Sequence, residues 1–314
     1  MSYVKVSDLA FGRLQSPSLD EAEEFLTAFG MLRSDRTKDA LYMRGTDPNH
    51  HIHVTHLGPS KFVGLAWYVE NEDQLKQFAK APGASGIENI DEPGGGKRVR
   101  ISDPHGYQME VMCGMQQLPK LPVRKNLVNT GDVKVRQGEL MRLARGPSQV
   151  KRAAHAVIMT PNAAEKVKWY REMFGLVCSD EVYAGEKDHV IASFNRCDQG
   201  ETYVDHHVFL CIEGPKAGIN HLSFEAQNID DVMLGHEHIV KMKKYEHVWG
   251  IGRHILGSQV YDYWKDPWGR VHEHWADTDM LNIHAPTNYL PAEEGLDSQW
   301  GEAVPEAFIT HAVP

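Results

Sequence analysis

No run of about 18 apolar residues occurs anywhere in the chain, so no membrane-spanning helix is expected. Nor is there an excess of basic residues: 33 Lys and Arg stand against 43 Asp and Glu, a formal charge of −10. Nucleic acid and anionic membranes both select a basic face, so neither is an expected partner. The stretch from Met1 to Leu14 lacks the charged-then-apolar pattern of a signal peptide, and a cytoplasmic location is expected. Cysteine is sparse. Cys113, Cys178, Cys197 and Cys211 lie far apart with no CxxC, which argues against a disulfide framework or a thiolate zinc site. What is present is ordinary globular composition, 41% hydrophobic and 24% charged, in 314 residues, enough for one large domain or two ordinary ones. Histidine alone is in excess, with 18 residues.

The chain is written twice. Asp103-Pro-His-Gly-Tyr-Gln-Met-Glu-Val and Asp266-Pro-Trp-Gly-Arg-Val-His-Glu-His both read DPxG, with a glutamate seven residues after the aspartate. Upstream, Gly58-Pro59 precedes a strand-like run from Gly64 to Asn71, as Gly214-Pro215 precedes one from His221 to Asn228. Ser16-Pro17 leads to Phe29-Gly30, and Thr160-Pro161 leads to Phe174-Gly175. Even the histidine pairs correspond, His50-His51 with His206-His207, each eight residues before its Gly-Pro. Matched landmarks in one order mark an internal duplication. The copies run over 1–135 and 145–282, joined by a polar connector, Lys125 to Gln149, and followed by a Pro-, Ala- and Glu-rich tail, 283–314. The tail is expected to wrap the surface as a lid or an oligomer contact.

Each copy reads as a strand, a helix and then several strands. In the second, Ala153 to Met159 is a short apolar run suited to a buried strand. Pro161 and Asn162 open a helix carrying Val167, Tyr170 and Phe174 at helical spacing, and Gly175 closes it. Strands are expected near 189–195, 204–212, 219–226, 259–264 and 271–275, with a helix over 229–243. The fold class is therefore α+β: tandem βαβββ modules forming two curved, mixed or antiparallel sheets.

The copies differ where chemistry is concerned. His155 stands where the first copy has Ala10 or Phe11, and His221 where it has Gly64, whereas Glu273 matches Glu110. Two imidazoles and a carboxylate on three strands form the facial triad that suits non-haem Fe(II) and leaves positions open for substrate. Zinc accepts the same donors, so the triad by itself does not fix the metal. A lone histidine on an apolar strand is more often a satisfied core residue than a ligand. Three ligand-type residues at matched strands of a duplicated scaffold reverse that balance. Val157, two residues beyond His155, is expected to face the same cavity as a wall for an aromatic ring.

On these residues the sequence resembles the type I extradiol ring-cleavage dioxygenases of the vicinal oxygen chelate superfamily, in which the C-terminal module holds the metal and the N-terminal one is vestigial. The family's last motif, a tyrosine ten residues before the glutamate ligand, appears as Tyr263 to Glu273. Its Gly-Arg-His loop appears as Gly252-Arg253-His254, and its acid–base histidine, fifteen residues before the second ligand, as His206. A one-residue slip would choose His207, since only one of two neighbours on a strand can face the metal. Where the family has His-His at the second ligand, this chain has Asn220-His221.

The resemblance implies His155, His221 and Glu273 as metal ligands, and His206, His254 and Tyr263 as catalytic groups. Val157, His207, His254 and Tyr263 would contact substrate. The implied cofactor is Fe(II), with Mn(II) the other candidate. The implied reaction is O2-dependent opening of a substituted catechol in bacterial aromatic degradation, by a homo-oligomer. Arg253, Lys265 and Arg270 could favour a carboxylated substrate. Two rival readings are a glyoxalase-like isomerase or lyase using another metal, and a non-catalytic protein that sequesters an aromatic ligand.

Overall fold

The computed structural model describes residues 2–125 and 127–314; Met1 and Asn126, the latter inside the expected connector, lie outside the described residues. The first half folds as β1 (Asp8–Ser16), α1 (Leu19–Phe29), β2 (Leu32–Arg36), β3 (Ala40–Arg44), β4 (His53–Leu57), β5 (Lys61–Tyr68), α2 (Glu72–Phe78), β6 (Glu88–Asn89), β7 (Lys97–Ser102) and β8 (Gln108–Cys113). The second half follows as β9 (Ala153–Thr160), α3 (Ala163–Phe174), β10 (Leu176–Tyr183), β11 (Val190–Cys197), β12 (Val204–Asp205), β13 (Phe209–Glu213), β14 (Gly218–Glu225), α4 (Ile229–Met242), β15 (His247–His254), β16 (Val260–Lys265) and β17 (Val271–Ala276). The tail adds β18 (Met280–Leu281), β19 (Asn288–Pro291), α5 (Ala292–Gly295), β20 (Ser298–Trp300) and α6 (Glu306–Ile309). No helix among the described residues is long and apolar enough to cross a membrane.

Two large mixed sheets result, as the α+β reading expects. The first runs β2-β3-β4-β1-β5-β8-β7-β6 and the second β19-β10-β11-β13-β9-β14-β17-β16-β15-β20. Their centres match: β1 pairs β4 in parallel and β5 antiparallel, as β9 pairs β13 and β14. The central strands are buried throughout or nearly so; β9 reads as an almost continuous apolar run, whereas β1 also buries Arg13 and Ser16. The expected strand over 204–212 is broken instead. Val204-Asp205 pairs with β18, and pairing with β11 resumes only at Phe209. Strands β10 and β15 escape the sequence reading because one carries Ser, Asp and Glu and the other two glycines with irregular pairing.

The repeated DPxG turn locks each half onto the other. Asp103 Oδ1 accepts the backbone N–H of His105 and Tyr107, both at 2.9 Å. Asp266 Oδ1 does the same for Trp268 and Arg270, at 2.9 and 3.0 Å. Gly106 and Gly269 take φ of 86° and 81°, open to glycine at little cost. Each aspartate keeps its second oxygen for an ion pair. Asp103 Oδ2 meets buried Lys166 of α3 at 2.5 Å. Asp266 Oδ2 accepts from Arg270 Nε at 2.6 Å, while Arg270 Nη1 and Nη2 reach Gln15 O and Ser16 Oγ of β1. One apolar cluster runs through both halves, including Phe25, Phe29, Trp67, Phe174, Phe209 and Phe224.

Candidate metal centre

Strands β9, β14 and β17 are neighbours in the second sheet. Ser223 of β14 pairs with His155 on one side and Glu273 on the other, so these three point to one face. His221, two residues before Ser223, joins them. His155 Nε2 lies 2.9 Å from Glu273 Oε2, His221 Nε2 lies 3.4 Å from the same oxygen, and the two imidazole nitrogens are 3.4 Å apart. Three donors at about 2.1 Å from one ion and at right angles to one another sit about 3 Å apart. The triangle therefore fits a facial triad.

The electrostatics agree. Neither Glu273 oxygen has a well-aligned hydrogen bond, although the residue is completely buried. Burial pushes its carboxyl upward, but the proximity of His155, then His221 and His254, outweighs this and holds it well below the usual range. Burial lowers His155. An ionised carboxylate beside neutral imidazoles is the protonation state a divalent cation requires.

Above the triad is a cavity of about 460 Å³. Phe194, Leu210, Ile212, Trp249 and Leu256 form its apolar wall, and the tail closes it with Leu296, Val304, Phe308 and Ile309. Phe308 stacks on the His221 ring with centroids 5.8 Å apart and interplanar angle 26°. A bulge in the β9–β14 pairing at Asn220 brings two consecutive side chains, Asn220 and His221, to the cavity. Asn220 Oδ1 accepts from His221 Nδ1 at 2.7 Å, and its amide donates to His311 O at 2.8 Å and Phe308 O at 3.3 Å. Asn220 therefore orients His221 and tethers the tail at once.

His254 and Tyr263 arrive beside the triad on β15 and β16. His254 Nε2 is 2.9 Å from Tyr263 Oη and 3.8 Å from Glu273 Oε1. Burial, with the Glu273 charge, raises the Tyr263 phenol well above its ordinary value, so it remains a donor.

Residues 152–273 match the Glyoxalase/Bleomycin resistance protein/Dioxygenase superfamily. "Metapyrocatechase 2" of Cupriavidus necator is 29% identical over 94% of this chain and 89% of its own length. Among solved structures, the Mn(II)-bound glyoxalase from Novosphingobium aromaticivorans superposes with a TM-score of 0.77 at 21% identity, covering 99% of this chain and 97% of that one. Homoprotocatechuate 2,3-dioxygenase from Brevibacterium fuscum, complexed with 3,4-dihydroxyphenylacetate, superposes at 0.82 with 16% identity, covering 99% and 94%. The expected kinship with extradiol dioxygenases of the vicinal oxygen chelate fold is borne out.

The first half keeps the cup and fills it differently. Strand pairing puts Phe11, Gly64 and Glu110 at the positions of His155, His221 and Glu273, which resolves the ambiguity between Ala10 and Phe11. A side chain at Gly64 would lie 1.7 Å from Gln108 O. Glu110 is held by Arg13 at 2.7 Å and Arg98 at 2.9 Å, and Glu92 binds the same two guanidiniums at 2.9 and 2.8 Å. Guanidinium occupies the place of a cation.

Three expectations change. His206, favoured by ungapped spacing, faces Asp180, with Nε2 2.5 Å from Oδ2, and does not line the cavity. His207 lines it, its ring 4.3 Å from that of His155. The break between β12 and β13 is the cause, because the slip it introduces cannot be counted from sequence spacing. Val157 is completely buried in the cluster containing Phe194, Leu210 and Leu256, and is not itself a lining residue. Arg253, Lys265 and Arg270 are absent from the lining; they pair with Asp277, Glu246 and Asp266. The tail was expected as a lid or an oligomer contact, but its wall residues and Asn220's double role went unread because both depend on the tail folding back onto β14.

Proposed function

We propose that the chain opens the ring of a catechol carrying an apolar substituent, using O2 and a divalent metal held by His155, His221 and Glu273. It is an extradiol ring-cleavage dioxygenase. Fe(II) is the assigned metal, with Mn(II) the alternative, because the donor set suits either. When bound, the metal supplies Lewis acidity and brings the two reactants together. The observation that carries the reading is the grouping of His207, His254 and Tyr263 around the triad at the floor of an apolar cavity.

The protein's own groups have separable tasks. Asp180 can only accept, so His206 presents Nε2–H to it, and a neutral His206 has a bare Nδ1. That nitrogen lies 3.0 Å from His207 Nδ1, which must then carry a proton. His207 Nε2 is left as a free acceptor for the cavity. Burial, with His155 and His206 nearby, keeps His207 neutral, its pKa well below the ordinary value. Its place in the cavity wall beside the triad makes His207 the group that takes and returns a substrate proton. Tyr263 donates to a substrate oxygen, and His254 holds that phenol in place. The walls carry no Lys or Arg among the described residues but do include Glu293 and Asp297, which disfavours a carboxylated substrate. A bacterial catabolic role, performed by a homo-oligomer, belongs to the same reading.

The test is anaerobic reconstitution with Fe(II) or Mn(II), followed by O2 uptake on a panel of alkyl-, aryl- and carboxyl-substituted catechols. Uptake with ring-opened product from the apolar members, and least from the carboxylated ones, is expected. Tight metal binding without O2 uptake would instead favour a binding protein or a glyoxalase-like isomerase or lyase.

A further inference from the structure

On the opposite face of the same sheet, three donors converge again. Tyr263 points into the cup, so its neighbour Asp262 on β16 points out the other side. There it is completely buried and meets two histidines from different elements. His236 of α4 places Nδ1 3.0 Å from Asp262 Oδ1, and His247 of β15 places Nε2 2.8 Å from the same oxygen. All three donor atoms lie within 4.8 Å of one another. The other oxygen, Oδ2, accepts the indole N–H of Trp264 at 2.6 Å, which fixes the carboxylate with Oδ1 facing the imidazoles. The histidine side chains remain 24% and 31% exposed, so the group is open to solvent on one side.

We propose that His236, His247 and Asp262 form a second divalent transition-metal site, taking Zn2+ or a similar borderline ion with water as the remaining ligand. Two imidazoles and one carboxylate are a zinc-type donor set. The spacings of 2.8 and 3.0 Å need only a few tenths of an ångström of expansion to accommodate metal–donor bonds of about 2.0–2.2 Å. Without metal, each imidazole carries its proton on the nitrogen facing Asp262. With metal, that proton moves to the outward nitrogen, which the exposed edge allows. The Trp264 N–H is the outer hydrogen bond that metal-binding carboxylates commonly have. The ion would tie α4 to the strands behind Tyr263. The site is independent of the proposed ring-cleavage chemistry.

Zn2+ binding to the full metal-free chain, measured by equilibrium dialysis and elemental analysis, tests this. Wild type is expected to bind two equivalents. His247→Gln and, separately, His236→Gln should bind one, as should His221→Ala, and His221→Ala combined with His247→Gln should bind none. Trp264→Phe should keep both equivalents but weaken the second by about 10–100-fold. Co2+ gives a second readout, since the low-coordinate visible absorption from this site should persist in His221→Ala and vanish in the double variant. Saturation of wild type at one equivalent, or two equivalents in both His236→Gln and His247→Gln, would overturn the assignment. Failure of the catechol assay would leave these stoichiometries untouched.

Discussion

The neighbours His206 and His207 have opposite environments. His206 is bound to a buried carboxylate at 2.5 Å, whereas His207 abuts His155 and lines the cavity. Their substitution should therefore separate two effects. His207→Phe removes the proton acceptor, and kcat is expected to fall by about 10²–10⁴ while metal content stays near wild type. His206→Phe leaves the acceptor in place but no longer fixes its tautomer, so a smaller loss with an altered pH profile is expected. Steady-state kinetics on metal-quantified enzyme decides between them. A larger loss in His206→Phe than in His207→Phe would refute the assignment. The grouping of His155, His221 and Glu273 as candidate ligands was legible from sequence because duplication supplied an internal comparison. The choice between the two histidines was not, because it depends on where strand pairing breaks.

Elements are held here by small repeated devices. The DPxG turn was visible as a repeat, but its use was not, since Lys166 lies 63 residues from Asp103 in sequence and only folding brings them together. Asp103 supports its own turn with one oxygen and a buried lysine with the other, and Tyr170 also donates to it at 3.2 Å. Removing one partner of a buried pair leaves the other charged and unmatched, at a cost of about 3–5 kcal/mol. Asp103→Ala is therefore expected to lose about that much stability in urea unfolding. Asp103→Ala combined with Lys166→Met should recover part of it, because the stranded charge is gone. If the double variant is less stable than the single, the stranded charge is not the source of the loss. The tail elements had no such signal: their short strands take meaning only from the sheet edges they join, β19 on β10 and β20 on β15.

At the scale of the whole molecule, the two cups are one design with two fillings, a candidate metal triad in one half and a closed ion cluster in the other. The cluster makes the first half sensitive to acid. Burial pushes the Glu92 carboxyl upward, but the charge of Arg13 and hydrogen bonds from Arg98 and Arg13 prevail and hold it at about 2, against an ordinary 4.5. A carboxyl depressed on folding contributes its full stability above the ordinary value and loses it as pH falls through the folded one. The window is therefore from about 4.5 down to about 2, and the shift corresponds to on the order of 3 kcal/mol. Glu92→Gln tests this directly. The stability difference between wild type and Glu92→Gln, from urea midpoints, should be constant between pH 7 and 5 and then shrink as pH approaches 2. A difference that stays level across that acid range would show that the guanidinium pair does not depend on the Glu92 charge and that Glu110 holds the two arginines by itself.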